Sequence, residues 1–183
     1  MVNPSLTPQI IIYTFANKVR ENMTADFISE KICSRKGIIE KVNEWKKQGK
    51  RIAFTNGVFD LLHKGHIFSL SQAAKQGDVL VIGLNSDASV KRLKGDGRPV
   101  NDQDARALLL AALLMVNAVV IFEEDTPLDL ISSILPDVLV KGGDYTIDQI
   151  AGAKEVIANG GKVVINPILD GFSTTAIINA LSK

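Results

Sequence analysis

At 183 residues and 46% hydrophobic, the chain is long enough for one well-buried domain and too short to read comfortably as two. Its 21 basic and 20 acidic side chains leave a net charge of +1, which excludes a bulk field for gathering nucleic acid or anionic membrane, so any phosphate binding must be local. The single cysteine, Cys33, has no internal disulfide partner and fits a reducing compartment, no apolar run reaches the ~20 residues of a membrane span, and the apolar stretch 9–15 lacks the flanks of a secretory signal. The expectation is a cytoplasmic protein with neither nucleic-acid nor membrane partner.

Residues 1–35 have mixed polarity, Pro4, Pro8 and no motif, and are expected to form an N-terminal arm ahead of a domain spanning 36–183. From Gly37 the pattern is regular. Ile38, Ile39, Val42 and Trp45 recur at helical spacing and Lys46-Lys47-Gln48-Gly49 closes that helix, predicted over 37–48. A short apolar run at 51–55 predicts a buried strand, and Ile67, Leu70, Ala73 and Ala74 predict a helix stopping at Gly77. Strand 79–84 follows, then a basic loop over 91–99, an Ala/Leu-rich helix over 102–115, a strand at 118–122 and a helix at 127–134. Strands 138–140 and 162–165, a helix at 150–158 and a final helix from Ser173 complete the alternation. Five strands alternating with helices predict a Rossmann-like, doubly wound parallel sheet in three α/β/α layers, with binding loops at the C-terminal strand ends.

The chemistry concentrates after the first strand. The chain's two histidines stand three apart in His63-Lys64-Gly65-His66, directly behind Thr55-Asn56-Gly57-Val58-Phe59-Asp60. Gly57 permits close backbone approach, and the first N–H groups of the following helix are unpaired and favour an anion. Two imidazoles fixed on such a turn can stabilise charge building on phosphate oxygens. A zinc site is disfavoured because no second Cys/His pair exists, and no protein metal ligand is assigned. At the other end, Gly171-Phe172-Ser173-Thr174-Thr175 offers a helix cap at Ser173 or Thr174 with hydroxyls and N–H groups facing an anion.

The segment 55–66 resembles the signature of the cytidylyltransferase-like nucleotidyltransferases, whose HxGH motif contacts nucleotide phosphates, and 171–175 is similar to that superfamily's second motif. The resemblance implies catalytic roles for His63 and His66, and nucleotide contacts for Thr55, Asn56, Gly57, Phe59, Gly65, Gly171, Ser173, Thr174 and Thr175. Segments 85–95, 98–101, 122–127 and 135–145 resemble the heptose 1-phosphate adenylyltransferase branch, so the resemblance covers roughly 36–183. It implies transfer of AMP from ATP to D-glycero-β-D-manno-heptose 1-phosphate, in a stand-alone form with no kinase ahead of it, and a homodimer. Two phosphate-bearing substrates meeting at one sheet edge need their repulsion offset, which marks Lys94 and Arg98 as charge-neutralising catalytic residues and Lys141 as a phosphate or sugar contact. Asn85, Asp87, Asp144 and Tyr145 are candidates for the sugar, with a helix cap as the competing reading of Asp87; Asp60, grouped with them, reads as an orienter of the histidine loop. Mg2+ is expected to arrive with ATP, held by phosphates and water.

Two alternatives stay open. One is a CTP-dependent cytidylyltransferase acting on glycerol 3-phosphate or a similar phospho-alcohol; that group carries an arginine three positions before the glycine of its second motif, where this chain has Ile168. The other is a nucleotide-binding module without turnover.

Overall fold

The computed structural model describes residues 25–143, 145–167, 169 and 171–181. Asp144, Ile168 and segment 1–24 of the expected arm lie outside the described residues. In chain order the elements are α1 (Ala25–Ser29), β1 (Ile32–Cys33), α2 (Arg35–Lys47), β2 (Ile52–Gly57), α3 (Lys64–Ala74), β3 (Val79–Asn85), α4 (Asp87–Lys94) and α5 (Gln103–Ala111). They continue with β4 (Ala118–Phe122), α6 (Leu128–Ile134), β5 (Val138–Gly142), a 3-10 turn (Ile147–Gln149), α7 (Ala153–Ala158), β6 (Lys162–Asn166) and α8 (Thr174–Leu181).

The strands form one sheet in the order β1-β4-β3-β2-β5-β6, every pairing parallel. This is the expected fold class with six strands in place of five. The extra strand is the two-residue β1, which pairs Ile32 with Val119 and Cys33 with Val120. It belongs to the stretch read as an arm, where a run of two residues is too short to show a period. The basic stretch at 91–94, expected as loop, is the last turn of α4, and Lys91, Arg92 and Lys94 there complement the helix dipole.

Alternate residues of each central strand face opposite helical layers, as a sheet covered on both sides requires. On one face Ile52, Phe54 and Val81 pack with Ile38 and Val42 of α2, Leu130 and Ile131 of α6 and Val156 of α7. On the other, Ala53, Leu80, Ile82 and Leu84 pack with Leu70 and Ala73 of α3 and Ala107 and Leu110 of α5. Removing each of the Val, Leu, Ile and Phe side chains among them from water stabilises by about 1.5–3 kcal/mol. The chain steps from β2 through β3 to β4 on one side, then crosses back to place β5 on the other side of β2. The crevice at the C-terminal ends of β2 and β5 is therefore the topological switch point, where open α/β sheets bind ligands.

Candidate active site

β2 delivers Asn56 and Gly57 into that crevice, and the chain then turns sharply into α3. Phe59 has φ 46°, a left-handed conformation costly for a non-glycine residue, and its side chain folds back so that a Cβ on Gly57 would lie 2.9 Å from the ring. His63 is the N-cap of α3: its carbonyl accepts the His66 N–H at 2.9 Å and its Nδ1 accepts the same group at 3.4 Å. With Nδ1 accepting, the proton of neutral His63 is assigned to Nε2. The rings of His63 and His66 stack at 3.8 Å and 17°, and Phe59 meets His66 edge-on at 5.3 Å. Gly65 makes this stack possible, because a Cβ there would come within 3.1 Å of the His63 ring and of the Phe172 Cβ.

Burial pushes the pKa of His66 down to about 4; the neighbouring His63 acts in the same direction and the Leu61 carbonyl opposes it. Burial also lowers the pKa of His63. At neutral pH the free protein thus holds two uncharged imidazoles, which donate through N–H dipoles and do not repel each other. Among the described residues the buried Nδ1 of His66 has no hydrogen-bond partner.

Beneath the turn lie two braces. The Asp60 side chain, 1% exposed, pairs through Oδ2 with Arg98 Nε at 2.5 Å, and through Oδ1 accepts the N–H groups of Val100 and Asn101 at 2.7 and 3.1 Å. Asp60 thus ties the 98–101 loop to the histidine turn, as its reading as an orienter expects, while it also lines the cleft. The second brace is Arg106 of α5, whose side chain is fully buried. Its guanidinium donates to the carbonyls of Val58 (2.7 Å), Asn85 (2.9 Å) and Asn101 (3.0 Å) and to Asp87 Oδ1 at 2.7 Å. One planar group with five donors can span four acceptors in this way. Asp87 is thereby engaged with Arg106 and stands outside the cleft lining, against its expected role with the sugar; the α4 cap is Ser86, which accepts the Ser89 N–H.

On the other side of the crevice, Lys141 at the end of β5 donates to Asn56 Oδ1 at 3.3 Å and lies 5.7 Å from the centre of the Tyr145 ring. Burial lowers its pKa. Ser173 caps α8: its carbonyl accepts the Ile177 N–H, and its hydroxyl accepts the Ala176 N–H at 3.4 Å. The Thr174 hydroxyl donates to the Leu61 carbonyl at 3.4 Å, joining the second motif to the histidine turn.

The cleft has two lobes that share 56–59, His66, Lys141, Tyr145 and Thr174. One, of about 380 Å³, is lined by Thr55, His63, Gly65, Pro167, Leu169, Phe172 and Ser173. The other, of about 520 Å³, is lined by Asp60, Asn85, Lys94, Arg98, Asp125, Gln149 and Thr175. The structure so brings together every expected site residue except Asp87, Gly171 and the undescribed Asp144. Among the described residues no group of three or more His, Cys, Asp or Glu side chains could hold a metal ion.

Sequence reasoning missed Arg106, Asp125 and Gln149. Arg106 carried a usable signal. It lies four residues before the buried Leu110, on the inward face of an apolar helix, where a cation has to find buried acceptors.

A family model described as cytidylyltransferase-like matches residues 54–180. The "Bifunctional protein HldE" of Rhodospirillum rubrum is 55% identical over 151 residues, 82% of this chain and 30% of that protein. The chain spans about a third of the length of such curated relatives. Among solved structures, a lipopolysaccharide core biosynthesis protein from Thermoplasma volcanium superposes with TM-score 0.53 at 27% identity, over 66% of this chain and 98% of that one. A pantoate-beta-alanine ligase from Francisella tularensis, complexed with beta-gamma ATP and beta-alanine, has TM-score 0.55 at 16% identity, over 82% and 76%, and shares the fold.

Proposed function

We propose that this chain, which belongs to the cytidylyltransferase-like family, is an adenylyltransferase that joins AMP from ATP to D-glycero-β-D-manno-heptose 1-phosphate. The products are ADP-heptose and pyrophosphate, and the sugar nucleotide would serve lipopolysaccharide core or related surface glycan synthesis. The observation that carries the reading is the convergence of two helix N-termini on one lobe: the stacked His63/His66 turn of α3 and the Ser173 cap of α8. That pairing is an anion site built twice over. The base and the acceptor come from the resemblance of the central segments to heptose 1-phosphate adenylyltransferases, and the printed role of one solved neighbour in lipopolysaccharide core biosynthesis fits that reading.

In this reading the triphosphate lies across Gly57, the histidine turn and Ser173, with the nucleoside toward Pro167, Leu169 and Phe172. The sugar phosphate enters the lobe of Lys94 and Arg98. One of its oxygens attacks the α-phosphorus in line, the bond from α-phosphorus to the β-bridging oxygen breaks, and pyrophosphate leaves with that oxygen. No protein base is required, because the attacking phosphate is already ionised near neutral pH. His63 and His66 donate hydrogen bonds to phosphate oxygens, while Lys94, Arg98 and Lys141 offset the charge of two anions held together. Magnesium would come with ATP and would supply charge neutralisation at the phosphates, with no side chain of this chain assigned to hold it.

The resemblance also implies a homodimer, and Leu108, Leu109 and Leu114 are 43%, 48% and 91% exposed, leaving apolar surface beside α5 for a second copy. A light-scattering mass near twice 19.8 kDa is expected; a monomer at micromolar concentration would remove that part of the proposal.

Pyrophosphate release tests the reaction, base and acceptor together. ATP with the heptose 1-phosphate should turn over at least tenfold faster than CTP with glycerol 3-phosphate. The reverse order would replace the proposal with the cytidylyltransferase reading, and ATP binding without pyrophosphate release from any sugar phosphate would leave a binding module.

A further inference from the structure

The lobe that holds Lys94 and Arg98 also exposes two polar side chains to which the phosphate chemistry gives no work, Asp125 and Gln149. Each is pinned through one atom and free at the other. Asp125 follows β4, and Arg92 of α4 reaches its Oδ1 at 2.7 Å through both Nε and Nη2. Arg92 is itself anchored on the Glu123 carbonyl. Among the described residues nothing takes Asp125 Oδ2. Gln149 ends the 3-10 turn, and its Oε1 accepts the Thr146 N–H at 2.9 Å, leaving the amide NH2 as the free end.

With Arg92 holding Oδ1, the second oxygen of the Asp125 carboxylate suits an uncharged, hydrogen-bond-donating part of a ligand and repels a phosphate. A sugar 1-phosphate has such a part. With its phosphate at Lys94 and Arg98, its hydroxyls remain to be satisfied within the same lobe. Side chains already fixed by Arg92 and by Thr146 lose little further freedom on binding, which favours selectivity.

We propose that Asp125 and Gln149 form the sugar-recognition subsite, Asp125 Oδ2 accepting a hydrogen bond from one sugar hydroxyl and the Gln149 amide donating to another sugar oxygen. This rests on the adenylyltransferase reading for the identity of the ligand. Both residues would touch substrate and set which sugar phosphate is held, with no part in the bond-breaking step.

The test compares the unmodified protein with Asp125→Asn and Gln149→Ala, measuring KM for the heptose 1-phosphate and for ATP. Calorimetric binding of the sugar phosphate to the free protein runs alongside. Asp125→Asn keeps an oxygen for Arg92, and Gln149→Ala alters an exposed side chain, so each should melt near the unmodified temperature. KM for the sugar phosphate should rise about tenfold in Asp125→Asn and about fivefold in Gln149→Ala, with KM for ATP within about twofold, as expected for lost charged and neutral hydrogen bonds. An unchanged sugar KM in both variants, or equal rises for both substrates, would overturn the subsite. If the unmodified protein binds the sugar phosphate without turnover, the reaction fails while weaker binding in both variants still supports the subsite. If it does not bind the sugar phosphate at all, both fall.

Discussion

His66 is held by aromatic rings on two sides. It lies under Phe59, against His63, with Nδ1 buried and unpaired, and with a pKa pushed down to about 4 by that burial. A neutral donor held there needs no reorganisation when charge builds on a phosphate oxygen, and loss of one such donor costs about 10²–10³ in turnover. His66→Ala should therefore lower kcat by that order with the fold intact by circular dichroism, and a kcat within a few-fold of the unmodified protein would remove the histidine from the mechanism. The same environment has a consequence for stability. In the unfolded chain His66 binds a proton near its ordinary pKa of 6.5, whereas in the folded chain it resists protonation until about 4. The His66 contribution to stability is thus full above pH 6.5, falls as the pH drops through the interval toward 4, and is lost below it. Denaturant midpoints measured from pH 7.5 to 4 should show that decline in the unmodified protein and a shallower one in His66→Asn; parallel curves would contradict the assignment.

At the level of elements, the site is a set of strand ends and helix starts held in register by α5. Arg106 binds the carbonyls that close β2 and β3 and the loop that carries Arg98, so one side chain sets the spacing of the cleft's walls. Arg106→Met keeps similar bulk but orphans three carbonyls and releases Asp87, which should cost about 3 kcal/mol in chemical denaturation and lower kcat/KM for both substrates together. A variant of unchanged stability would show that the carbonyls find water instead. The sequence made the order of elements legible because apolar strand runs and capped helices repeat with clear periods, as at 79–84 and 118–122. It made the histidine turn and the Ser173 cap legible because both rest on local patterns. It did not reveal β1, since two residues carry no period, nor the partners of Asp60, read as an orienter, and of Asp87, since Asp60 meets Arg98 and Asp87 meets Arg106 only through tertiary contact, at separations of 38 and 19 residues. For such residues side-chain type alone leaves ligand contact and internal brace equally open.

At the scale of the whole molecule, the strand order β1-β4-β3-β2-β5-β6 makes the account cohere. The switch between β2 and β5 brings the histidine turn, Lys141 and α8 to one crevice although they stand far apart in sequence. A net charge of +1 gives no bulk field for gathering anions, so under the proposed function salt should weaken binding of the phosphorylated substrates through Lys94, Arg98 and Lys141 alone. The central claim is attack at the α-phosphorus of ATP by a sugar phosphate. The measurement that tests it most directly is product stoichiometry in a reaction of the purified protein with ATP and D-glycero-β-D-manno-heptose 1-phosphate. One pyrophosphate and one ADP-heptose should appear for each ATP consumed; release of ADP or orthophosphate in place of pyrophosphate would exclude attack at the α-phosphorus.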